Sequence, residues 1–423
     1  MWVALLVDVI VIGGGFSGTM VAARLAARGV ESVIVEAGRA GRGVAYGTDD
    51  PAHLLNVRAG RMSAWPEAPG DFAAFSHEEP DGFARRIDYG DYLAAILGEA
   101  IASGRVGLVE GVAVGAEPGE DWAVTLADGR ALRGRMLLLA SGNGAPAPLG
   151  IDGAIEDPWN ADGRAGIAEA ADSDAAVLVV GSGLTMVDVV LSLRRMGHRG
   201  PIAAVSRRGL LPRAHGAPFP PVPIAAGEVP RGLLATMRWV RARAAASGNW
   251  RAVVEGLRPH TQAIWQSWSE AEQRRFLRHA RPWWDVHRHR LAPAVAAEVK
   301  AATGERQFEV MAGRLVAIAG GVAKIARRDG RNVERRADVV INATGPRVAD
   351  DPLSRALLAA GIARRDPLGL GLAVEADDRL AGRDDAWAVG PPTRGRWWEI
   401  GAVPDIRVQA ARVADGIAAR LGR

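Results

Sequence analysis

The 423-residue sequence predicts an α/β fold in which one unit of strands and helices is present twice. Each copy begins with an apolar strand, a glycine turn and a helical pattern: VIVIGGGFSG at residues 9–18 and VLVVGSGLTM at residues 177–186. Each copy later has a turn followed by a glycine-ended strand, at residues 127–142 and 329–345. This order predicts two Rossmann-like, three-layer (ββα) domains, the second inserted in the first.

The first copy predicts its elements in a clear order along the chain. The apolar segment 1–12 runs directly into the glycine turn and is therefore predicted as a buried strand rather than a leader sequence. Residues 38–90 are rich in Gly, Pro and Asp, and a loop region of that length is usually functional. Residues 92–103 predict a helix, and residues 106–141 predict short strands with a hairpin at Asp128-Gly129.

The second copy follows a Pro/Gly-rich boundary at residues 144–153. Its second strand is predicted at residues 202–206, and six prolines in residues 212–230 predict an extended loop. Residues 226–303 predict a helical insertion that covers a substrate site. After short strands, a final helix is predicted at residues 404–421, with Pro404 in its first turn.

Composition excludes several classes of function. The chain has no cysteine, which excludes structural disulfides, thiolate nucleophiles and a dithiol relay. The net charge is only +4, and arginines alternate with acids along the chain, which argues against a nucleic-acid-binding face. No apolar run is long enough to span a membrane, so we expect a cytoplasmic protein, and the sequence leaves open whether it forms a homo-oligomer.

The first glycine turn has the spacing of a dinucleotide-binding loop. Gly13 permits the tight turn, Gly15 permits a diphosphate to approach the backbone, and Gly18 permits close packing of helix on strand. Glu36 ends the next strand, where a carboxylate accepts hydrogen bonds from an unphosphorylated ribose. The turn therefore predicts FAD or NAD.

The second glycine turn differs at two points. Met186 replaces the third glycine, which requires more room between helix and strand. Ser206, Arg207 and Arg208 stand where the first copy has its carboxylate, and arginine suits a 2′-phosphate. NADPH is therefore the predicted ligand. The alternative is a degenerate turn whose two arginines are merely solvated.

Five stretches together resemble the two-dinucleotide-binding flavoprotein superfamily, and more narrowly the bacterial FAD/NAD(P)-binding proteins related to the amine N-hydroxylases. They are GRGVAYGT at 41–48, HLLNV at 53–57 with Met62-Ser63, GLTMVD at 183–188, WDVHRHR at 284–290, and Trp398-Glu399 with Ile406-Arg407. The resemblance implies FAD in the first site, with loop 41–63 along the flavin. Two features depart from the superfamily: Gly390 is followed by Pro391 where an Asp is usual, and the Phe-x-Gly-x-x-x-His fingerprint of Baeyer–Villiger-type monooxygenases is absent.

The resemblance and the glycine turns together give two sets of predicted cofactor residues. The FAD set is Gly13, Gly14, Gly15, Phe16, Ser17, Gly18, Glu36, Tyr46, Asn56, Val112, Ser141, Gly142, Gly390, Pro404 and Ile406. The NADPH set is Gly181, Ser182, Gly183, Leu184, Thr185, Ser206, Arg207, Arg208, Thr344 and Gly345. The predicted FAD-binding domain is residues 1–150 with 336–423, and the predicted NAD(P)H-binding domain is residues 151–335.

The flavin itself would carry the redox chemistry, so few catalytic side chains are required. The candidates near its ring are Asn56, Met62, Ser63 and Glu399. The helix opening at Pro404 is predicted to face the ring edge. A pocket could be lined by residues of the insertion, or these tryptophans could be core: Trp265, Trp268, Trp283, Trp284, His287 and His289. No metal site is predicted, because no carboxylate or cysteine pattern near His287 and His289 completes one.

Three functions remain open on this basis. The first is an NADPH-dependent FAD monooxygenase that uses O₂, through a flavin hydroperoxide, to oxygenate an amine or another small nucleophile. The second is a flavin reductase or dehydrogenase that inserts no oxygen. The third is a non-catalytic, regulatory nucleotide-binding protein, which the weaker second turn and the missing Asp would explain.

Overall fold

The computed structural model describes residues 6–423, and within them seven strands form the first sheet. Strand β1 pairs in parallel with β2 on one side and β6 on the other, and β2 pairs in parallel with β3. The strands are β1 (Leu6–Ile12), β2 (Ser32–Glu36), β3 (Val106–Glu110), β4 (Ala113–Glu117), β5 (Trp122–Leu126), β6 (Ala131–Leu139) and β14 (Ala386–Ala388). The first five residues of the predicted first strand lie outside the described residues.

Strand β6 is long enough to join two layers. Its first half pairs antiparallel with β5, which in turn pairs with β4, and its second half pairs in parallel with β14. The predicted hairpin at Asp128-Gly129 is the turn between β5 and β6. The antiparallel strands therefore cover one face of the parallel sheet, as the three-layer prediction requires.

Helices cover the opposite face of the first sheet. They are α1 (Phe16–Ala27), α2 (Gly43–Tyr46), α3 (Asp71–Ser76), α4 (Arg86–Ala102) and α14 (Val403–Arg420), with a 3₁₀ turn at Ala59–Arg61. Helix α1 packs between α4 and α14 over an apolar core. Helix α4 starts six residues before the predicted start at residue 92, because the Asp88 carboxylate accepts the backbone N–H of Arg85 and caps it there.

The second domain repeats the same layers around four parallel strands in the order β13-β7-β8-β9. These strands are β7 (Val177–Val180), β8 (Ile202–Ser206), β9 (Phe308–Ala312) and β13 (Val339–Asn342). Helices α5 (Ala161–Ala171), α6 (Leu184–Arg195) and α12 (Pro293–Gly304) contribute to one core. An antiparallel sheet of β10 (Arg314–Ala319), β11 (Val322–Ala326) and β12 (Asn332–Arg336) contributes to the other.

The second predicted domain boundary needs correction. Residue 336 was expected to begin the return to the first domain, but β13 pairs in parallel with β7 and so belongs to the second sheet. The two connecting segments lie side by side, since the N–H of Gly144 donates to Arg347 at 2.8 Å and the N–H of Arg347 donates to Ala145 at 3.1 Å. We therefore propose that the domain division follows the sheets and falls at these paired segments.

The insertion is helical, as predicted, and follows a proline-rich segment that forms no helix within residues 212–230. Its helices are α7 (Leu233–Ser247), α8 (Trp250–Leu257), α9 (Thr261–Ser267), α10 (Glu270–Arg275) and α11 (Arg281–Arg288). A π-helical turn at Phe276–Ala280 joins α10 to α11. The remaining helix, α13 (Pro352–Ala359), packs against β4 in the first domain.

Candidate functional site

The first glycine turn connects β1 to α1 and is tightly packed. Gly13 has a φ of 101°, and a Cβ atom there would lie 2.5 Å from the carbonyl oxygen of Ala140. A Cβ atom on Gly18 would lie 1.9 Å from the carbonyl oxygen of Gly13. Helix α1 begins at Phe16 with no side-chain cap and no acid in its first turn. Its free N–H groups and the positive end of its dipole therefore suit a diphosphate.

The Glu36 carboxylate lies beside this turn at the carboxyl end of β2. It accepts hydrogen bonds from the backbone N–H of Gly14 at 2.5 Å and of Gly38 at 2.8 Å. Each carboxylate oxygen keeps a further lone pair, so ribose hydroxyls could still donate to it. The N–H of Gly111 donates to the Glu36 carbonyl at 3.0 Å, and Val112, 39% exposed, follows at the neighbouring strand end. The adenosine-binding roles of Glu36 and Val112 stay predictions.

Loop 41–48 closes over the first turn, because two glycines permit the approach. The N–H of Gly41 donates to the Gly14 carbonyl at 2.7 Å. A Cβ atom on Gly43 would lie 3.0 Å from the Cα of Gly15. Tyr46, which ends the short helix of this loop, lines a large cavity next to the turn.

Other members of the predicted FAD set gather at the same turn. The Cα of Ser141 would lie 3.3 Å from a Cβ atom on Gly13. Gly390 has a φ of 75°, and a Cβ atom on it would lie 2.5 Å from Ser17 Oγ and 4.0 Å from Ile406 Cδ1. Gly142 directly follows Ser141, with a φ of 66°. These contacts bring Ser141, Ser17, Gly390 and Ile406 together around the first turn. Their role in FAD binding stays a prediction.

Where the superfamily has an Asp after the glycine, this chain uses a different side chain to hold the segment. The N–H of Gly390 donates to Oε1 of Gln409, 2.8 Å away on α14. The amide of Gln409 donates in turn to Asp378 at 2.7 Å and to the Thr393 hydroxyl at 2.9 Å. No sequence pattern indicates a role for Gln409, because its partners come from distant parts of the chain.

The second glycine turn has the same geometry with one wider spacing. Gly181 has a φ of 121°, and a Cβ atom there would lie 2.0 Å from the Ala343 carbonyl oxygen. Helix α6 begins at Leu184 without a side-chain cap or an acid in its first turn. Met186 is fully buried at the position of the third glycine, so α6 stands far enough from the strand to admit a side chain. This helix start also suits an anion.

One cavity of about 1340 Å³ is lined both by the second turn and by residues of loop 41–63 and of the segment Arg394–Val403. All of the predicted NADPH residues line it: Gly181, Ser182, Gly183, Leu184, Thr185, Ser206, Arg207, Arg208, Thr344 and Gly345. From the FAD set, Tyr46 and Asn56 line it, whereas the glycines of the first turn do not. The ring candidates Met62 and Glu399 also line it.

Three arginines that line this cavity have no acidic partner. Arg207 is exposed, and Arg208 donates only to the Arg278 carbonyl, at 3.4 Å. Arg314, at the start of β10, also lines the cavity, and none of these three guanidiniums makes an ion pair within residues 6–423. Sequence analysis missed Arg314, because β10 lies far from the second turn in the sequence.

The start of α14 also lines this cavity. Ala402 and Val403 line the cavity, and Pro404 lies in the first helical turn. No side chain caps this helix start, although Asp405 lies in its first turn. The positive end of the helix dipole therefore faces the region where the flavin ring is predicted.

Asp285, His289 and Glu399 come together in the wall of this cavity, where one atom from each lies within 4.8 Å of the others. The side chain of Glu399 is 5% exposed, and its backbone is left-handed, with a φ of 68°. Its Oε1 accepts the indole N–H of Trp284 at 2.7 Å, and Arg288 Nε lies 3.2 Å from its Oε2. A buried acid held in a strained backbone is a frequent mark of a functional site.

The two acids of this cluster are shifted in opposite directions. Burial raises the pKa of Asp285 despite the nearby Arg281. Burial also opposes ionisation of Glu399, but His289, Arg288, the Trp284 hydrogen bond and Arg394 outweigh it and hold its pKa below the usual value. Burial lowers the pKa of His289. Groups of one cavity whose pKa values diverge are suited to acid and base roles.

Several candidate residues lie outside the cavity. Ser63 is fully buried, and its hydroxyl lies 2.6 Å from the Ala68 carbonyl and 3.0 Å from that of Trp65. Trp265 and Trp268 belong to the core of the insertion, which is the second of the two alternatives given above for the tryptophans. Trp283 is 46% exposed, Trp284 donates to Glu399, and His287 packs against Trp250, whereas His289 lines the cavity.

The expectation that no carboxylate lies near the histidines is wrong for His289. Asp285 precedes it by one helical turn, and Glu399 arrives from a distant segment. The spacing of the three groups would admit a metal ion, but Arg288 and Arg394 add positive charge beside them. We therefore assign no metal to this cluster.

A buried ion pair fixes the second domain against the first. Arg86 of α4 forms a two-point contact with Asp188 of α6, at 2.8 and 3.1 Å. Beside it, the His53 ring lies 3.0 Å from the Ser192 hydroxyl, which donates to Asp50 at 2.7 Å. Both HLLNV and GLTMVD, quoted above for their resemblance, contribute to this interface. The interface sets the position of the second glycine turn relative to the first domain.

Comparisons with known proteins agree with this geometry. The family model described as FAD-NAD(P)-binding matches residues 10–144. No curated protein matches the sequence. No helix within residues 6–423 is long and apolar enough to cross a lipid bilayer.

Solved structures align over nearly the whole chain at low identity. Ornithine N-hydroxylase from Kutzneria sp. 744, with reduced FAD, NADP⁺ and L-ornithine, is 16% identical, with a TM-score of 0.67 over 99% of this chain and 100% of that chain. Ornithine hydroxylase (PvdA) from Pseudomonas aeruginosa is 15% identical, with a TM-score of 0.66 over 99% and 100%. Bacillithiol disulfide reductase (YpdA) from Staphylococcus aureus is 13% identical, with a TM-score of 0.60 over 98% of both chains.

These likenesses show the fold. The predicted α/β architecture is confirmed, and the family model supports the predicted cofactors at the level of FAD and NAD(P). Residues 10–144 therefore match the FAD-NAD(P)-binding family model, and the chain as a whole shares the fold of these solved proteins.

Proposed function

We propose that this protein is a FAD-dependent, NADPH-oxidising monooxygenase that acts on a small molecule with a nucleophilic centre, such as an amine. The observation that carries the proposal is the single cavity of about 1340 Å³, which runs from the arginines of the second turn to the cluster of Asp285, His289 and Glu399. NADPH bound at the arginines of the second turn and a flavin bound beside the cluster would share this cavity.

FAD, when bound, accepts a hydride from NADPH and passes electrons to O₂. The protein contributes position and electrostatics. The start of α14 presents its positive dipole end, which favours negative charge on the reduced ring. Met62 and Leu55, both buried, contribute apolar surface to the same part of the cavity.

The cluster at the flavin side supplies acid–base groups for the substrate. The neighbours of Glu399 hold its pKa below the usual value, so it supplies a negative charge that would attract and orient an ammonium group. Burial raises the pKa of Asp285, which makes it the more readily protonated of the two carboxyl groups. Trp284 and Arg288 hold the Glu399 carboxylate in place through both of its oxygens.

Residues of the helical insertion form part of the wall of this cavity. Leu277 of the π-helical turn, with Pro282 and Val286 of α11, lines the cavity there. Trp398 lines it from the other side and stacks on the buried Trp265, with ring centroids 4.9 Å apart. A dry, preorganised site favours transfer of oxygen to the substrate over loss of peroxide to water.

The absence of cysteine from the sequence distinguishes this chain from flavoproteins that use a dithiol relay. A reductase that passes electrons directly to another acceptor is the second candidate, because the same cavity would serve it. Oxygen dependence separates the two candidates.

The test compares NADPH oxidation by the FAD-loaded protein under air and under nitrogen, across a panel of amines, sulfides and aromatic compounds. We expect at least one compound to accelerate NADPH oxidation only under air and to be recovered with one added oxygen atom. Equal turnover of an acceptor under nitrogen would overturn the proposal in favour of the reductase. A purified protein that cannot be loaded with FAD would overturn both.

Nucleotide choice gives a second test. Replacing Arg207 and Arg208 together by alanine should reduce the preference for NADPH over NADH by about 10- to 100-fold, because charge-assisted hydrogen bonds are worth roughly 1.5–3 kcal/mol. The measurement is kcat/KM for flavin reduction with each nucleotide. Arg328→Ala, an exposed arginine on the β11–β12 turn, is the matched control and should leave the ratio unchanged. An unchanged ratio in the double variant would place the 2′-phosphate elsewhere.

A further inference from the structure

A second, smaller cavity of about 80 Å³ adjoins the large one. The two share Asn56, Val57 and Arg288 as lining residues. The smaller cavity has an unusual concentration of positive side chains, and we call it the arginine pocket. Its arginines are Arg58, Arg61, Arg258, Arg288 and Arg290.

Four carboxylates lie near these five guanidiniums, and two of the four line the pocket itself. Glu255 is the one buried carboxylate of the lining; it accepts hydrogen bonds from Arg61 and Arg290 and lies 3.6 Å from Arg258. Asp81 also lines the pocket, but its side chain is 66% exposed. Two further carboxylates lie outside the lining. Asp405 is 3.9 Å from Arg258 and 4.0 Å from Arg288, and Glu399 is 3.2 Å from Arg288.

The histidine of the pocket adds no charge at neutral pH. Burial, followed by the field of Arg290, lowers the pKa of His215 to about 4. Its Nε2 lies 3.0 Å from the Asn56 carbonyl oxygen, so it is the donor of that hydrogen bond. Nearby, Arg58 donates to two carbonyl oxygens, of Asp81 and Gly216, and its Nε lies 3.9 Å from the Asp81 carboxylate.

Buried N–H donors of the pocket have no partner in the protein. The Arg290 side chain is 2% exposed, and only its Nη2 is engaged, by Glu255. Its Nε and Nη1 make no hydrogen bond within residues 6–423. A guanidinium carries five N–H groups, and buried donors normally find an acceptor. These Arg290 donors remain available to a group that enters the pocket.

We propose that the arginine pocket binds an oxyanion, either a free phosphate or an acidic group carried by a larger molecule. The space is roughly that of two or three waters, which also admits a carboxylate or phosphate group. Guanidinium groups are the side chains best matched to such anions, because their paired donors fit two oxygens. The shared wall with the large cavity would let a bound acid continue toward the flavin.

The pocket as a binding site does not depend on the proposed function. An acidic group held there would nonetheless deepen that function, because it would make the substrate an acid whose other end reaches Glu399. The WDVHRHR segment fits this division of work. Asp285 and His289 line the large cavity, Arg290 lines the pocket, and Arg288 lines both.

The test titrates the FAD-loaded protein with inorganic phosphate by calorimetry, in the presence of saturating NADP⁺ so that the 2′-phosphate site is filled. We expect saturable binding in the wild type that chloride at equal ionic strength does not reproduce. Arg290→Gln should weaken it at least tenfold. Arg58→Gln should weaken it as well, and it keeps the Arg290–Glu255 pair in case Arg290→Gln disturbs folding. Arg328→Gln is the matched exposed control.

Methyl phosphate distinguishes the two sources of the anion. Binding as tight as that of inorganic phosphate supports a pocket that opens to a substituent, and so an acidic group of a larger molecule. Much weaker binding of the ester supports a free anion. Absence of saturable phosphate binding, or equal affinity in wild type, Arg290→Gln and Arg58→Gln, would overturn the site. Phosphate binding without any oxygen-dependent turnover would keep the site and remove the monooxygenase.

Discussion

Replacing Gly18 by alanine is expected to yield a protein that retains little or no FAD and does not oxidise NADPH. The new methyl carbon would lie 1.9 Å from the carbonyl oxygen of Gly13 and 3.2 Å from Val11 Cγ1. Because the nearer obstacle is backbone, helix α1 must move away from the turn rather than a side chain turning aside. Overpacking of this kind costs about 1–3 kcal/mol or more, and here it would also displace the diphosphate-binding N–H groups.

The measurement is the ratio of flavin to protein absorbance after purification and after reconstitution with excess FAD. Gly98→Ala on the outer face of α4 is the matched control, since a Cβ atom there meets nothing within 4 Å. That control should bind FAD normally and gain up to about 1 kcal/mol in helix stability. If Gly18→Ala retained stoichiometric FAD, the assignment of the first turn to the flavin nucleotide would be wrong.

Replacing Arg86 by alanine is expected to destabilise the protein by about 3–5 kcal/mol, because it leaves the Asp188 carboxylate buried without its partner. The two side chains are only 18% and 8% exposed, and the pair bridges the two domains. Loss of the pair should also let the second domain move relative to the first. We therefore expect slower reduction of the flavin by NADPH, measured anaerobically by stopped flow, in addition to a lower unfolding midpoint.

Two further variants separate the ion pair from general effects of mutation. Arg85→Ala removes the neighbouring arginine, which is 54% exposed and paired within its own helix turn, and should cost at most about 1 kcal/mol. Adding Asp188→Asn to Arg86→Ala removes the stranded charge and should restore part of the lost stability. If Arg86→Ala behaved like Arg85→Ala in both measurements, the bridge would have no role in domain alignment.

The parts of the fold that the sequence predicted well are those encoded by short-range patterns. Both glycine turns, strand β8 and the final helix lie where their residues indicated, because φ preferences and apolar periodicity act within a few neighbouring positions. The NADPH set is also brought together as predicted, since its members sit at strand ends of one parallel sheet, which meet at one edge.

The errors arose where a residue's role depends on distant partners. Ser63 was predicted to lie near the ring, but its hydroxyl is used by nearby carbonyl groups and does not reach the cavity. Strand β13 was assigned to the first domain, but its partner is β7 of the second. The sequence shows that such segments are strands or loops, and it does not show which edge or cavity they join.

The sequence by itself determined that this protein has two glycine turns on parallel strands, a carboxylate after the first and arginines after the second, and no cysteine chemistry. Only the tertiary structure decided that Asp285 and His289 meet Glu399, that Arg86 pairs with Asp188, and that Arg290 is buried in a pocket with unused donors. The physical reason is that local backbone preferences are written in adjacent residues. Burial, charge pairing and pKa shifts instead depend on which distant segments the folded chain brings into contact.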